Sequence, residues 1–182
     1  MNDTDNQQER LMDLTWLAGI WEGEGNISLV MGSGNRIMPR ASVVNTDFVL
    51  IEEIASALKR LNIGFYIQSR KGGGTNNPKH SDCKVITIAG VKRVNNFAKT
   101  LGPHMRGAKR NIAEKVVEYT EYRLGLPRNA QYTSKDLETV QTVRALNKKG
   151  PSESSETIRY PLDWVFKTRD GNSREELVPS KI

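Results

Sequence analysis

The hydrophobic period of the chain changes at Gly25, and that change constrains the fold more than any other feature. Before it the pattern is helical: Leu14, Leu17 and Trp21 fall at i, i+3 and i+7, a core-facing stripe on a helix from about Glu9 to Gly23. After it the pattern is that of strands. Polar and apolar residues alternate through Asn26-Ile27-Ser28-Leu29-Val30 and through Arg40-Ala41-Ser42-Val43, with Gly32-Ser33-Gly34-Asn35 as a turn between them. A helix therefore feeds directly into a hairpin. The same helix carries a second stripe, Thr15, Gly19 and Gly23 at i, i+4 and i+8. Glycine inside a helix costs about 1 kcal/mol relative to alanine, so such a stripe needs a reason, and close approach of another helix supplies one.

The segment from Asn45 to Ile88 repeats this unit in outline. Asn45, Thr46 or Asp47 caps a second helix, whose Leu50, Ile51, Ile54, Leu58 and Leu61 keep helical spacing up to Asn62. Phe65–Arg70 and Lys84–Ile88 read as a second strand pair around a glycine-rich loop, 71–81. A helix over Val91–Leu101 stops at Pro103. The next, Ala108–Leu124, opens on a basic cluster of Arg106, Lys109 and Arg110, and a last one over Thr133–Lys149 ends at Gly150-Pro151. The order predicts an α+β fold with a four-stranded antiparallel sheet. Residues 1–8 read as a flexible N-terminal tail, 9–150 as the domain and 151–182 as a linker-like C-terminal extension, in which Tyr160–Phe166 can dock on the domain or a partner.

Charge points to a polyanionic partner, with 27 lysines and arginines against 21 acids and a net charge of +6. Cys83 is the single cysteine, and His80 and His104 lack partners at metal-ligand spacing, which excludes a disulfide framework and a zinc cluster and fits a reducing, intracellular setting. The polar start of the chain resembles neither a secretory signal nor a transit peptide, and no apolar run approaches the roughly 20 residues a membrane span requires. A soluble protein with no membrane partner is expected.

The stretch Leu17-Ala18-Gly19-Ile20-Trp21-Glu22-Gly23-Glu24-Gly25, running into the strand Asn26-Ile27-Ser28, resembles the LAGLIDADG motif of homing endonucleases in its variant ending Glu-Gly-Glu-Gly. The similarity extends to Asn45-Thr46-Asp47, to Pro103 with the basic residues after it and to Ser154-Ser155-Glu156-Thr157, and it covers Met12–Lys149 at its core. The resemblance implies an αββαββα core with a saddle-shaped sheet, extra C-terminal helices and an intron-encoded, site-specific DNA endonuclease. In that family two motif helices pack through their small faces, here Thr15, Gly19 and Gly23. Each brings one acid to a scissile phosphate, here Glu24, with the carbonyl of Gly23 as second ligand to Mg²⁺ or Mn²⁺. A carboxylate, phosphate oxygens and water form a hard-oxygen site suited to such an ion. The resemblance also implies a basic side chain that stabilises the transition state: Lys109 is the candidate, with Arg106 and Arg110 beside it in the cluster. Asp47 is a further candidate for holding water or metal.

Because the motif occurs once, the resemblance implies a homodimer on a roughly palindromic duplex DNA target, both strands being cut by metal-dependent phosphodiester hydrolysis. The sheet would read bases through alternate side chains: Asn26 and Ser28, Arg40 and Ser42, Gln68 and Arg70, Asp82 and Lys84. Arg36, Asn76, Asn77 and Lys79 are expected in loops within reach of phosphates or bases. A one-residue slip in register reverses any strand's set. Arg70 and Lys84 also suit ordinary surface charges, and Trp21 suits the core. Glu24 is one methylene longer than the aspartate of many family members. The competing functions are an RNA-splicing maturase, with intron RNA as partner, or a non-cleaving nucleic-acid-binding protein on the same scaffold. A general basic RNA-binding protein leaves the glycine stripe unexplained.

Overall fold

The computed structural model describes residues 3–32, 36–72 and 81–148. In chain order these form α1 (Asp3–Gly23), β1 (Gly25–Gly32), β2 (Arg36–Asn45), α2 (Phe48–Arg60), β3 (Tyr66–Arg70), β4 (Cys83–Ala89), α3 (Val91–Leu101), a 3₁₀ turn (Gly102–His104), α4 (Gly107–Leu124) and α5 (Ser134–Asn147). The strands make one antiparallel sheet in the order β1-β2-β4-β3. This is the expected α+β arrangement. Asn76, Asn77, Lys79 and residues 151–182, for which the sequence suggests roles, lie outside the described residues.

One boundary differs. α1 begins at Asp3, so residues 3–8 are its first turns rather than a tail. Gln7, Gln8 and Glu9 are good helix formers, but the segment is polar all round and offers no apolar period to read. Glu9 lies 3.8 Å from Arg60 of α2.

The core lies on one face of the sheet. Ile27 and Leu29 of β1, Ile37, Ala41 and Val43 of β2, and Ile86 and Ile88 of β4 pack with Leu17, Ala18 and Trp21 of α1 and with Ile51, Ile54 and Leu58 of α2. Trp21 meets Phe97 of α3 at 4.9 Å between ring centroids. Full burial of side chains of this size contributes about 1.5–3 kcal/mol each. The two packed helices are also joined by charge: Asp13, nearly buried, takes two hydrogen bonds from Arg60, at 2.6 and 2.7 Å. These bonds raise the guanidinium's pKa further above its usual value, against the opposing effect of burial. α2 starts where a cap is available, with Asp47 Oδ1 accepting the N–H groups of Val49 and Leu50.

β1 is an edge strand, and α5 covers it. Asn147 donates to the Ile27 carbonyl at 2.9 Å, occupying an edge group that would otherwise invite another strand. α5 starts with a capping box of Thr133 and Asp136. Arg123, at the end of α4, holds the approach to it by donating to the carbonyls of Ala130 and Gln131 while lying over the Tyr132 ring. Among the described residues no helix is long and apolar enough to cross a membrane.

Candidate nucleic-acid interface and catalytic end

A single residue, Glu24, separates the end of α1 from the start of β1. The chain turns so tightly that a Cβ on Gly25 would stand 2.6 Å from the Trp21 Cα, a contact no side chain can relieve. Gly25 is therefore fixed by close approach. Glu24 stays exposed, its N–H still bonded to the Ile20 carbonyl as the last turn of the helix. The carbonyls of that turn have no next turn to bond to and are open to other partners.

The amino end of α4 docks on this junction. Arg106 caps the helix without a side-chain cap, and its backbone N–H donates to the Glu22 carboxylate. A carboxylate there also complements the positive end of the helix dipole. Gly107 follows with φ of 53°, a left-handed conformation suited to glycine. Two residues on, the Lys109 ammonium donates to the Gly25 carbonyl at 2.5 Å. A cation thus stands one residue from Glu24. Arg106 is exposed, and Arg110 pairs with Glu114 one turn along its own helix at 3.0 Å. Of the three basic candidates, Lys109 is the one whose side chain is bonded at the exit of α1.

The sheet face opposite the core is set by register. Outward positions are Asn26, Ser28 and Val30 on β1, Arg36, Met38, Arg40, Ser42 and Val44 on β2, Cys83, Val85, Thr87 and Ala89 on β4, and Tyr66, Gln68 and Arg70 on β3. They form cross-strand rows, of which Asn26–Ser42–Thr87–Tyr66 spans all four strands. Arg40 reaches along the face to donate to the Thr87 hydroxyl at 3.3 Å. Among the described residues this face carries three arginines and no acid.

Six of the eight strand residues expected on the reading face stand there: Asn26, Ser28, Arg40, Ser42, Gln68 and Arg70. Arg36, expected in a loop, opens β2 on the same face. Two expectations are corrected. Lys84 pairs with Asn45, whose neighbours Val43 and Ala41 face the core, so it points to the helix side; its amine lies 3.3 Å from Glu52 and 4.7 Å from the centre of the Phe48 ring. Asp82 precedes β4 and closes the β3–β4 loop by accepting the Gly72 N–H at 2.8 Å. Asp47 has one oxygen committed to the α2 cap, a structural task. Met38, Val44, Tyr66 and Thr87 complete the face; for the first three the signal is parity with Arg40, Ser42 and Gln68 on their own strands, and for Thr87 it is the phase of β4, which only pairing fixes. Glu22 had no local signal.

The glycine face of α1 is open. A Cβ on Gly19 or Gly23 would meet nothing within 4 Å, and Thr15 is exposed between Leu11, Met12 and Trp16, also exposed. No group of three or more His, Cys, Asp or Glu side chains able to hold a metal occurs among the described residues. The donors at the α1 exit, one carboxylate beside helix-end carbonyls, suit an ion that takes its remaining ligands from phosphate and water.

Comparison with known proteins agrees with this architecture. The LAGLIDADG-like domain family model matches residues 12–102, half of the 182-residue chain. A search of curated proteins gives no match. Among solved structures, the homing endonuclease I-CvuI in complex with the I-CreI target superposes with a TM-score of 0.58 at 16% identity, covering 79% of this chain and 88% of that one. The homing endonuclease I-TnaI gives 0.53 at 14% identity, covering 75% and 89%. The LAGLIDADG meganuclease I-AabMI bound to uncleaved DNA gives 0.54 at 16% identity, covering 77% of this chain but 46% of that one. With the motif, the α1–β1 junction and the four-stranded sheet in place, the chain belongs to the LAGLIDADG-like domain family and has the fold of the LAGLIDADG homing endonucleases.

Proposed function

We propose that the protein is a site-specific, intron-encoded homing endonuclease that cuts both strands of a long, roughly palindromic DNA duplex by metal-dependent hydrolysis. The observation that carries the reading is the joining of two surfaces: an exposed Glu24 with Lys109 beside it, at the edge of a sheet face that bears arginines and, among the described residues, no acid. Arginine and polar side chains spaced along antiparallel strands suit the phosphates and base edges of a major groove.

Glu24 and the Gly23 carbonyl are the groups that would hold Mg²⁺ or Mn²⁺. When bound, such an ion lowers the pKa of a coordinated water and offsets charge on the phosphate. The I-CvuI complexes were studied in the presence of Mg and of Ca, which is in keeping with a divalent ion here. Lys109 supplies fixed positive charge near the reacting phosphate, and its bond to the Gly25 carbonyl keeps the ammonium at that point.

One motif per chain supplies one acid, so cutting two strands calls for two chains. The open face of Thr15, Gly19 and Gly23 supports a C2 homodimer, since two glycines with no neighbour inside the subunit stabilise nothing there. The test is incubation with Mg²⁺ and a randomised duplex pool, recovering cut ends. Wild type should yield a selected site. Glu24→Gln should bind that site with similar affinity while cutting it at least about a hundredfold more slowly, and undiminished cutting by the variant would sink the assignment.

A further inference from the structure

The outward sheet face holds three apolar side chains that the subunit leaves in water: Met38, Val44 and Tyr66, at 47, 44 and 40% exposure. They do not form one patch. Val44 sits in the row with Val85 and Gln68, Tyr66 in the adjacent row with Thr87 and Ser42, and Met38 opposite Val30 towards the far end of the β1–β2 hairpin. Arg36 and Arg40 lie two residues to either side of Met38, and Arg70 lies on the Tyr66 strand. A protein partner would be met by a contiguous apolar surface; this face instead intersperses single apolar groups among cations. Its outward rows recur about every 7 Å, close to the rise of two base pairs.

Resting on the duplex-DNA reading above, we infer that Val44, Tyr66 and Met38 are specificity-determining residues that contact thymine C5-methyl groups, so each half-site has a thymine at up to three separated positions. That methyl is the apolar group among the donors and acceptors of the major-groove edges. RNA lacks it, and the major groove of A-form RNA is too deep and narrow for side chains to read. The same residues therefore favour DNA over intron RNA.

The test uses the full chain without divalent metal, selecting bound duplexes from a randomised pool. The selected site is then resynthesised with uracil replacing single thymines, which removes only the methyl. Each contacted position should lose about fourfold in affinity, the factor that corresponds to about 0.8 kcal/mol for one buried CH₂. Met38→Ser, at an exposed position and with an unchanged circular dichroism spectrum, should abolish the uracil effect at one position and leave it at the others. A structured RNA competitor should displace the duplex poorly. A selected site indifferent to uracil at every thymine, or having no thymine in common, overturns this inference alone. Failure to enrich any duplex overturns the DNA reading and this inference with it.

Discussion

The chain twice runs a helix into an antiparallel hairpin, and the two junctions are built differently. Between α1 and β1 stands one residue, Glu24, and the turn is tight enough to require glycine at 25. Between α2 and β3 the path takes Leu61 to Phe65: Asn62 adopts a left-handed φ of 56°, and Ile63 turns into the core at 2% exposure. The second helix ends in Lys59 and Arg60, with Arg60 committed to Asp13. The longer junction plugs its helix end with an apolar side chain. The short one presents a carboxylate to solvent and leaves space for Lys109 to arrive from α4. A repeated helix–hairpin unit is thus architecture, and the length and residues of the junction decide what each copy presents to solvent.

This contrast can be broken or sharpened by substitution. The largest effect after loss of cutting in Glu24→Gln is expected for Gly19→Leu, which puts a bulky side chain on the open face of α1. Because a twofold interface meets the change twice, and overpacking costs about 1–3 kcal/mol each time, a dimer should dissociate at least about thirtyfold more readily. Sedimentation that reports a dimer of unchanged affinity would remove α1 from the interface. Next comes Gly25→Ala, whose methyl would collide with the Trp21 backbone; a loss of about 1–3 kcal/mol in urea denaturation is expected.

Asp47→Ala should cost about 1 kcal/mol of stability by removing the α2 cap while leaving the cutting rate per folded molecule within about twofold. Normal stability with lost cutting would return Asp47 to the site. The smallest effect belongs to Gly64→Ala at the second junction. There a Cβ would approach the flexible Arg93 side chain at 3.3 Å, so a change within about 0.5 kcal/mol is expected. Equal costs at Gly25 and Gly64 would erase the distinction between the junctions.

Most of the fold was legible because its elements are strongly periodic. The stripe of Leu14, Leu17 and Trp21, the alternation of β1 and β2 and the spacing of α2 led to the helices and strands observed, within a residue or two at most ends. The first turns of α1 escaped, since a segment that is polar all round shows no period. β4 escaped in a different way. Its Val85, Ile86, Thr87 and Ile88 are all buried, Ile86 and Ile88 by the core and Val85 and Thr87 by side chains of the flanking strands, such as Arg40, which reaches Thr87. With no alternation between buried and exposed positions, its phase could not be fixed locally, and the choice of Asp82 and Lys84 followed from the wrong phase. Pairing with β2 decides it and turns Lys84 towards α2.

Sequence alone determined what depends on neighbours along the chain: the helix that becomes a hairpin at Gly25, its two faces, the cap before α2, and the family to which the motif belongs. Tertiary structure decided what depends on residues far apart. It placed the Lys109 side chain, rather than that of Arg106 or Arg110, against the exit of α1, because Glu22 holds the start of α4 against the end of α1 across more than eighty residues of chain. It also chose which side chains of β4 face outward, because a period of two fixes alternation within a strand but only hydrogen bonding to the next strand fixes its phase.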